Sequence, residues 1–162
     1  MTQGDFRGMY YIQTTVGSKD DSRLLYRSVG NNTDDGKIRV ELCRSSLKEN
    51  PSYVIDMSEL VSVTLKLRLD SCGNPDCRQD PDRSLIGVVG GLLVVDTLEE
   101  AKSKCKAFVE DNELGSGNWA GGQVFANDRL VAYVSYNGRM WTEETASFRN
   151  VLRQIETTEP SI

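Results

Sequence analysis

Two cysteines with four residues between them make the most motif-like stretch of the chain, Cys72-Gly73-Asn74-Pro75-Asp76-Cys77. That spacing suits two thiolate ligands on one zinc ion, because the intervening turn lets both sulfurs converge. A tetrahedral site wants two further ligands. Cys43 and Cys105 stand alone in the sequence, and completing the set from Asp70, Asp76, Asp80 or Asp82 would be uncommon for zinc. A disulfide closing the loop is a second reading, and two free thiols in a surface turn is the favoured one. No metal or other cofactor is therefore assigned, with Cys72 and Cys77 kept as weak zinc candidates.

The carboxylates yield less. Neither Asp34-Asp35-Gly36 nor the aspartates between Asp70 and Asp82 follow the spacing of a calcium-binding EF-hand loop, so they read as solvated loop groups. Glu99-Glu100 and Glu143-Glu144 open two expected helices, where acid complements the helix dipole without any catalytic role.

The glycine-rich segment Gly115-Ser116-Gly117-Asn118-Trp119-Ala120-Gly121-Gly122 is the best candidate for a contact site. It follows a helix and opens a strand, the reverse of a phosphate-cradling loop, and carries no Gly-Lys-Ser/Thr. Even so, Trp119 and Asn118 exceed what a helix stop requires. An aromatic plate beside exposed amides at Gly121 and Gly122 would stack a nucleotide-like ligand or anchor a partner. Tyr136 and Arg139 flank the turn Asn137-Gly138 and join the candidate surface. Stacking on single-stranded nucleic acid is disfavoured, because 19 Lys+Arg against 24 Asp+Glu leave the chain at −5.

Histidine is absent. Its absence excludes Ser-His-Asp and Cys-His nucleophiles, paired-histidine metal sites and a proximal haem histidine. Carboxylate, lysine or thiolate chemistry would remain, or binding without chemistry.

The elements that must position these groups are those of one domain. At 162 residues, with 38% hydrophobic and 27% charged residues, the chain has the composition of a globular fold large enough to need no disulfide or metal. Met9–Val16 and Arg23–Val29 read as strands. Ile38, Val40 and Leu42 alternate with charged neighbours in a third. Val61, Val63, Leu65, Leu67 and Leu69 alternate strictly with Ser62, Thr64, Lys66 and Arg68 in a fourth. The apolar run Leu85–Val95 suits a fully buried strand, or two short ones around Gly90-Gly91.

Thr97-Leu98-Glu99-Glu100 is a capping box that starts a helix over about 97–114, with Gly115 as its stop. Asn127-Asp128 and Asn137-Gly138 read as two-residue hairpin turns. They place Phe125 opposite Leu130 and Val134 opposite Trp141, and put Phe125, Leu130, Ala132, Val134 and Trp141 on one face. Phe148, Val151, Leu152 and Ile155 stripe a second helix over about 143–156.

The cadence Gly117-Asn118-Trp119-Ala120-Gly121-Gly122, followed by Val134-Ser135-Tyr136-Asn137-Gly138-Arg139-Met140-Trp141, resembles small proteins of bacteria and their phages; the resemblance implies no activity.

The expected fold is thus a single α+β domain over 1–162, a mostly antiparallel sheet of about seven or eight strands with two amphipathic helices on one side. The N-terminal residues lack an apolar signal core, and the longest apolar run is too short to span a bilayer, so a soluble cytoplasmic protein is expected. The expected function is non-enzymatic binding, through a protein partner or self-association by a sheet edge, the C-terminal helix or the Trp119 loop. The alternatives are a small-ligand binder using that loop and, less favoured, a carboxylate- or thiol-based enzyme.

Overall fold

Alternation of apolar and charged side chains does organise the N-terminal half into strands. A computed structural model describes residues 8–13, 25–30, 35–43 and 52–142 of the chain. In strand β3 (Lys37–Leu42) the apolar residues Ile38, Val40 and Leu42 are buried, while Lys37 and Arg39 face out. It pairs antiparallel with β2 (Leu25–Ser28), which pairs with β1 (Tyr10–Gln13).

Two further strands complete this first sheet: β4 (Ser52–Asp56) beside β3, and β5 (Leu60–Ser62) beside β1. The order is β4-β3-β2-β1-β5. Sequence reading missed β4, an edge strand whose residues are largely exposed and so carry no inside–outside pattern.

The strictly alternating segment Val61–Leu69 is not one strand. The chain leaves the first sheet after β5, crosses at Val63-Thr64 and enters a second sheet as β6 (Leu65–Leu69). Alternation reports which residues share a face; it is silent on which strand supplies the hydrogen bonds. The second sheet runs β10-β9-β8-β6-β7, with β7 Gly91–Val95, β8 Gln123–Ala126, β9 Arg129–Val134 and β10 Met140–Trp141. Among the described residues the fold is therefore α+β, with ten strands in two five-stranded antiparallel sheets and one helix. The split at Val63-Thr64 and the unforeseen β4 account for part of the excess over the strand number expected.

The run Leu85–Val95 also departs from expectation. Only its second half is a strand, and β7 lies at the sheet's edge with Leu92 56% and Val94 58% exposed. Leu85–Gly90 is a loop in which Ile86 and Val89 are exposed. The strand is half-solvated because β6 pairs it on one side while Leu92 and Val94 stand opposite Arg68 and Lys66 on the polar face.

Helix α1 (Leu98–Asp111) begins at the foreseen cap, where Thr97 Oγ1 accepts the Glu100 N–H at 2.9 Å. The Glu100 carboxylate reaches one residue further than expected and accepts the Asp96 N–H at 2.6 Å. Ala101, Cys105 and Phe108 form its buried stripe. The helix stops before Gly115. Glu113 adopts φ 52°, and the Leu114 N–H closes back on the Val109 carbonyl at 3.0 Å. The second expected helix, 143–156, lies outside the described residues.

Both hairpins exist, with one register surprise. Asn127 and Asp128 have φ 47° and 68°, as the expected tight turn demands, and Phe125 does face Leu130. A bulge then sets Val124 opposite Ala132, so Phe125 and Ala132 lie on opposite faces. At the second turn the Ser135 N–H donates to the Arg139 carbonyl, and Gly138 takes φ 78°. The loop therefore holds three residues, and Val134 meets Met140 while Trp141 meets Tyr133. One extra loop residue moves Trp141 to the other face, which dissolves the single face expected.

The main core joins both sheets and the helix. Tyr10, Ile12 and Leu25 of the first sheet pack in one cluster with Leu65, Leu67, Val95, Val124 and Val134 of the second and with Ala101 and Cys105 of α1. A second cluster, Tyr11, Tyr26, Ile38, Val40, Leu42 and Leu60, occupies the other face of the first sheet. Leu67 has no exposed surface. Leu67→Ala is expected to cost about 3 kcal/mol in urea denaturation, and Lys66→Ala on the outer face less than about 0.5 kcal/mol.

Candidate functional site

The two loops singled out by sequence are stitched to each other. Cys72 N–H donates to the Asn118 carbonyl at 3.0 Å, and Asn118 Nδ2 returns a bond to the Cys72 carbonyl at 3.0 Å. The same Nδ2 reaches Gln79 Oε1 at 3.0 Å. Ser71 and Trp119 form an isolated bridge, and the Gly122 N–H donates to the Arg68 carbonyl at 2.8 Å.

This close approach explains the glycines. A Cβ on Gly122, which holds φ 99°, would run into the Val134 carbonyl, and one on Gly121 would meet the backbone of Arg68 and Asp70. Trp119 is half-buried. Its indole N–H donates to the Val134 carbonyl at 3.1 Å, and its ring lies 6.1 Å from that of Phe108. Asn118 and Trp119 thus spend their polar groups inside the fold, and the loop's composition follows from packing.

The cysteine loop is organised by Asp70. Burial works against its charge, but the Arg68 guanidinium at 2.9 Å, the Ser71 N–H at 2.8 Å and the Ser84 hydroxyl at 2.9 Å hold its carboxyl below the usual range. Cys72 is half-buried with its thiol 3.6 Å from the Gly117 carbonyl, and Cys77 is exposed. All four cysteines are free thiols. Among the described residues no group of three His, Cys, Asp or Glu side chains gathers as a metal site. Burial pushes the Cys43 and Cys105 thiols up to about 12, and burial together with Asp70 raises that of Cys72. Those three are poor nucleophiles at neutral pH.

Arg139 and Tyr136 lie elsewhere. Arg139 lines a cleft of about 510 Å³ where the first sheet, the start of α1 and β10 meet. Tyr136 lines an adjoining hollow of about 580 Å³ between α1 and the Ser135–Gly138 turn, and its hydroxyl donates to the Leu114 carbonyl at 3.0 Å. The two cavities share Lys102 and Gly138, whereas neither includes Asn118 or Trp119.

In the cleft wall, Arg27 pairs with Glu99 at 3.3 Å, lies 5.7 Å over the Tyr10 ring and sits across the strand pair from Glu41. Arg27 and Lys102 had no signal in the sequence that set them apart from other surface cations. The third feature is β7, which among the described residues is an edge strand of the second sheet, with its exposed Leu92 and Val94.

No known protein family, no curated protein and no solved structure matches this chain. Among the described residues no helix is long and apolar enough to cross a membrane.

Two outcomes test the packing account of these loops. Gly122→Ala is expected to cost roughly 2–4 kcal/mol in chemical denaturation, since the left-handed backbone and the Val134 carbonyl both oppose a side chain. Asp70 carries a lowered folded-state pKa, so its stabilisation is present above the unfolded carboxylate value near 3.8 and is lost as pH falls through the folded one. Asp70→Asn should lower thermal stability at pH 7 and flatten the decline that sets in as pH falls below the unfolded carboxylate value near 3.8.

Proposed function

We propose that this chain is a non-enzymatic interaction protein that works as an assembly, pairing with a second copy of itself through β7, an edge strand of the second sheet among the described residues. The observation that carries this reading is β7. It is bonded to β6 on one side, Leu92 and Val94 are more than half exposed, and no charged residue occurs from Leu85 to Val95. Solitary proteins blunt such edges with charge, proline or a bulge, because an unpaired row of amides and carbonyls templates another strand.

Charge argues for a second copy as the occupant. An antiparallel two-fold pair centred on Leu93 sets Leu92 opposite Val94 of the second copy, apolar against apolar, so no like charges meet along the seam. Lys66 and Arg68 stand one strand back from it. Ile86 and Val89, exposed beside the strand, would extend the buried area. An extended segment of a different protein is the competing occupant.

The enzymatic alternatives have less behind them. The Cys43, Cys72 and Cys105 thiols are displaced away from the reactive thiolate. Asp56, held low by the Ser58 amide and hydroxyl, and Asp70 shift in the opposite direction to a general acid. A ligand stacked on the Trp119 loop would have to displace bonds that the fold already uses.

Light scattering after size exclusion should give a dimer for the full chain at micromolar concentration and a monomer for Val94→Lys. The variant should still unfold cooperatively, its melting temperature lowered by no more than the loss of association accounts for, because Val94 is exposed. A monomeric wild type at high micromolar concentration would overturn the reading, and so would a dimer that survives the lysine.

A further inference from the structure

The cleft at the junction of the sheets has an unbalanced charge. Of the three cations that line it, Arg27 is answered by Glu99 at 3.3 Å, and Glu41, which also lines it, stands opposite Arg27 in the strand register. Lys102 and Arg139 are both exposed, and neither has an ion-pair partner among the described residues. In the adjoining hollow Lys106 lies 4.0 Å from Glu110, so the surplus stays at Lys102 and Arg139. Ser135, which lines that hollow, has a buried hydroxyl without a hydrogen-bond partner among the described residues.

The remaining wall is apolar and aromatic. Trp141 and Met140 are half-buried, and the Tyr10 ring is capped by the Arg27 guanidinium. Cys43 contributes a neutral thiol. A concave site of about 510 Å³, with the Trp141 ring on one side and, on the other, cations that have no ion-pair partner among the described residues, has the dimensions and division of labour of a small-molecule pocket.

The geometry points to this cleft as a binding site for a small organic anion, with a flat ring against Trp141 and an anionic group held by Lys102 and Arg139. A nucleoside monophosphate has that combination of size, ring and charge. A guanidinium and an ammonium supply charge-assisted bonds to phosphate oxygens, and an aromatic wall stacks a base without regard to its identity. The site is remote in sequence from β7, and it owes nothing to dimer formation.

Isothermal titration of the full chain with AMP and UMP tests the assignment, with adenosine and inorganic phosphate as partial probes. One equivalent of either nucleotide should bind. Adenosine and phosphate should each bind at least tenfold more weakly, because each supplies half of the contacts. Lys102→Ala and Arg139→Ala should each weaken nucleotide binding about tenfold. Lys104→Ala, on the same helix but outside the cleft, should leave it unchanged. Binding should also fall as salt is raised from 50 to 500 mM, as it does for exposed charge pairs.

The alanine variants carry exposed side chains, so unchanged thermal melts will separate lost binding from lost folding. No heat with either nucleotide at millimolar concentration would overturn the proposal. Binding that survives the Lys102→Ala/Arg139→Ala double variant, or adenosine binding as tightly as AMP, would overturn it equally.

Discussion

The chain has two residues, Val63 and Thr64, in which to pass from one sheet to the other, and that short crossing constrains the rest. The Val63 N–H is still bonded to the Tyr10 carbonyl at 3.0 Å, so β6 begins beside the strand that β5 has just left. Tyr10 completes the junction. Its ring is buried in the core common to both sheets, and its hydroxyl accepts the Leu98 N–H at 3.2 Å. One of the helix's opening amides, which has no partner within the helix, is thereby satisfied by a side chain of the first sheet. Burial raises the Tyr10 pKa, against the smaller opposing pull of this N–H on the oxygen.

The cleft opens where the first sheet, the start of α1 and β10 meet without filling the space between them. What remains open is lined by the polar margins of three elements: Arg27 and Glu41 of the first sheet, Glu99 and Lys102 of the helix, and Arg139 beside β10. Among the described residues the edge strand β7 lies at the opposite limit of the second sheet from β10. Assembly at one end and ligand binding at the other can therefore coexist.

Much of the fold is legible in the residues wherever a period meets a single environment. β3, α1 with its Thr97 cap, and the Asn127-Asp128 turn follow from local chemistry, because each satisfies its backbone within a few residues. Legibility fails where the partner is distant. The alternation of Val61–Leu69 reads identically whether one sheet or two receive it. The uncharged run Leu85–Val95 looks like an interior strand, since an apolar sequence does not say whether a neighbour lies on both sides. The candidate residues divide in the same way. Asn118 and Trp119 stand out by composition and turn out to serve the packing of two loops, whereas Arg27 and Lys102 carry no local signal and acquire their setting from the cleft.

The sequence by itself excluded the mechanisms that need histidine, its acidic balance disfavoured nucleic acid, and its periods called for an α+β fold of antiparallel strands. Only the tertiary structure decided which surfaces are left to act. Exposure at β7 depends on which strands pair with it, and Lys102 and Arg139 are left without an ion-pair partner among the described residues because Glu99 is turned toward Arg27. Both are properties of neighbours brought together from far along the chain, and local propensity carries no record of them.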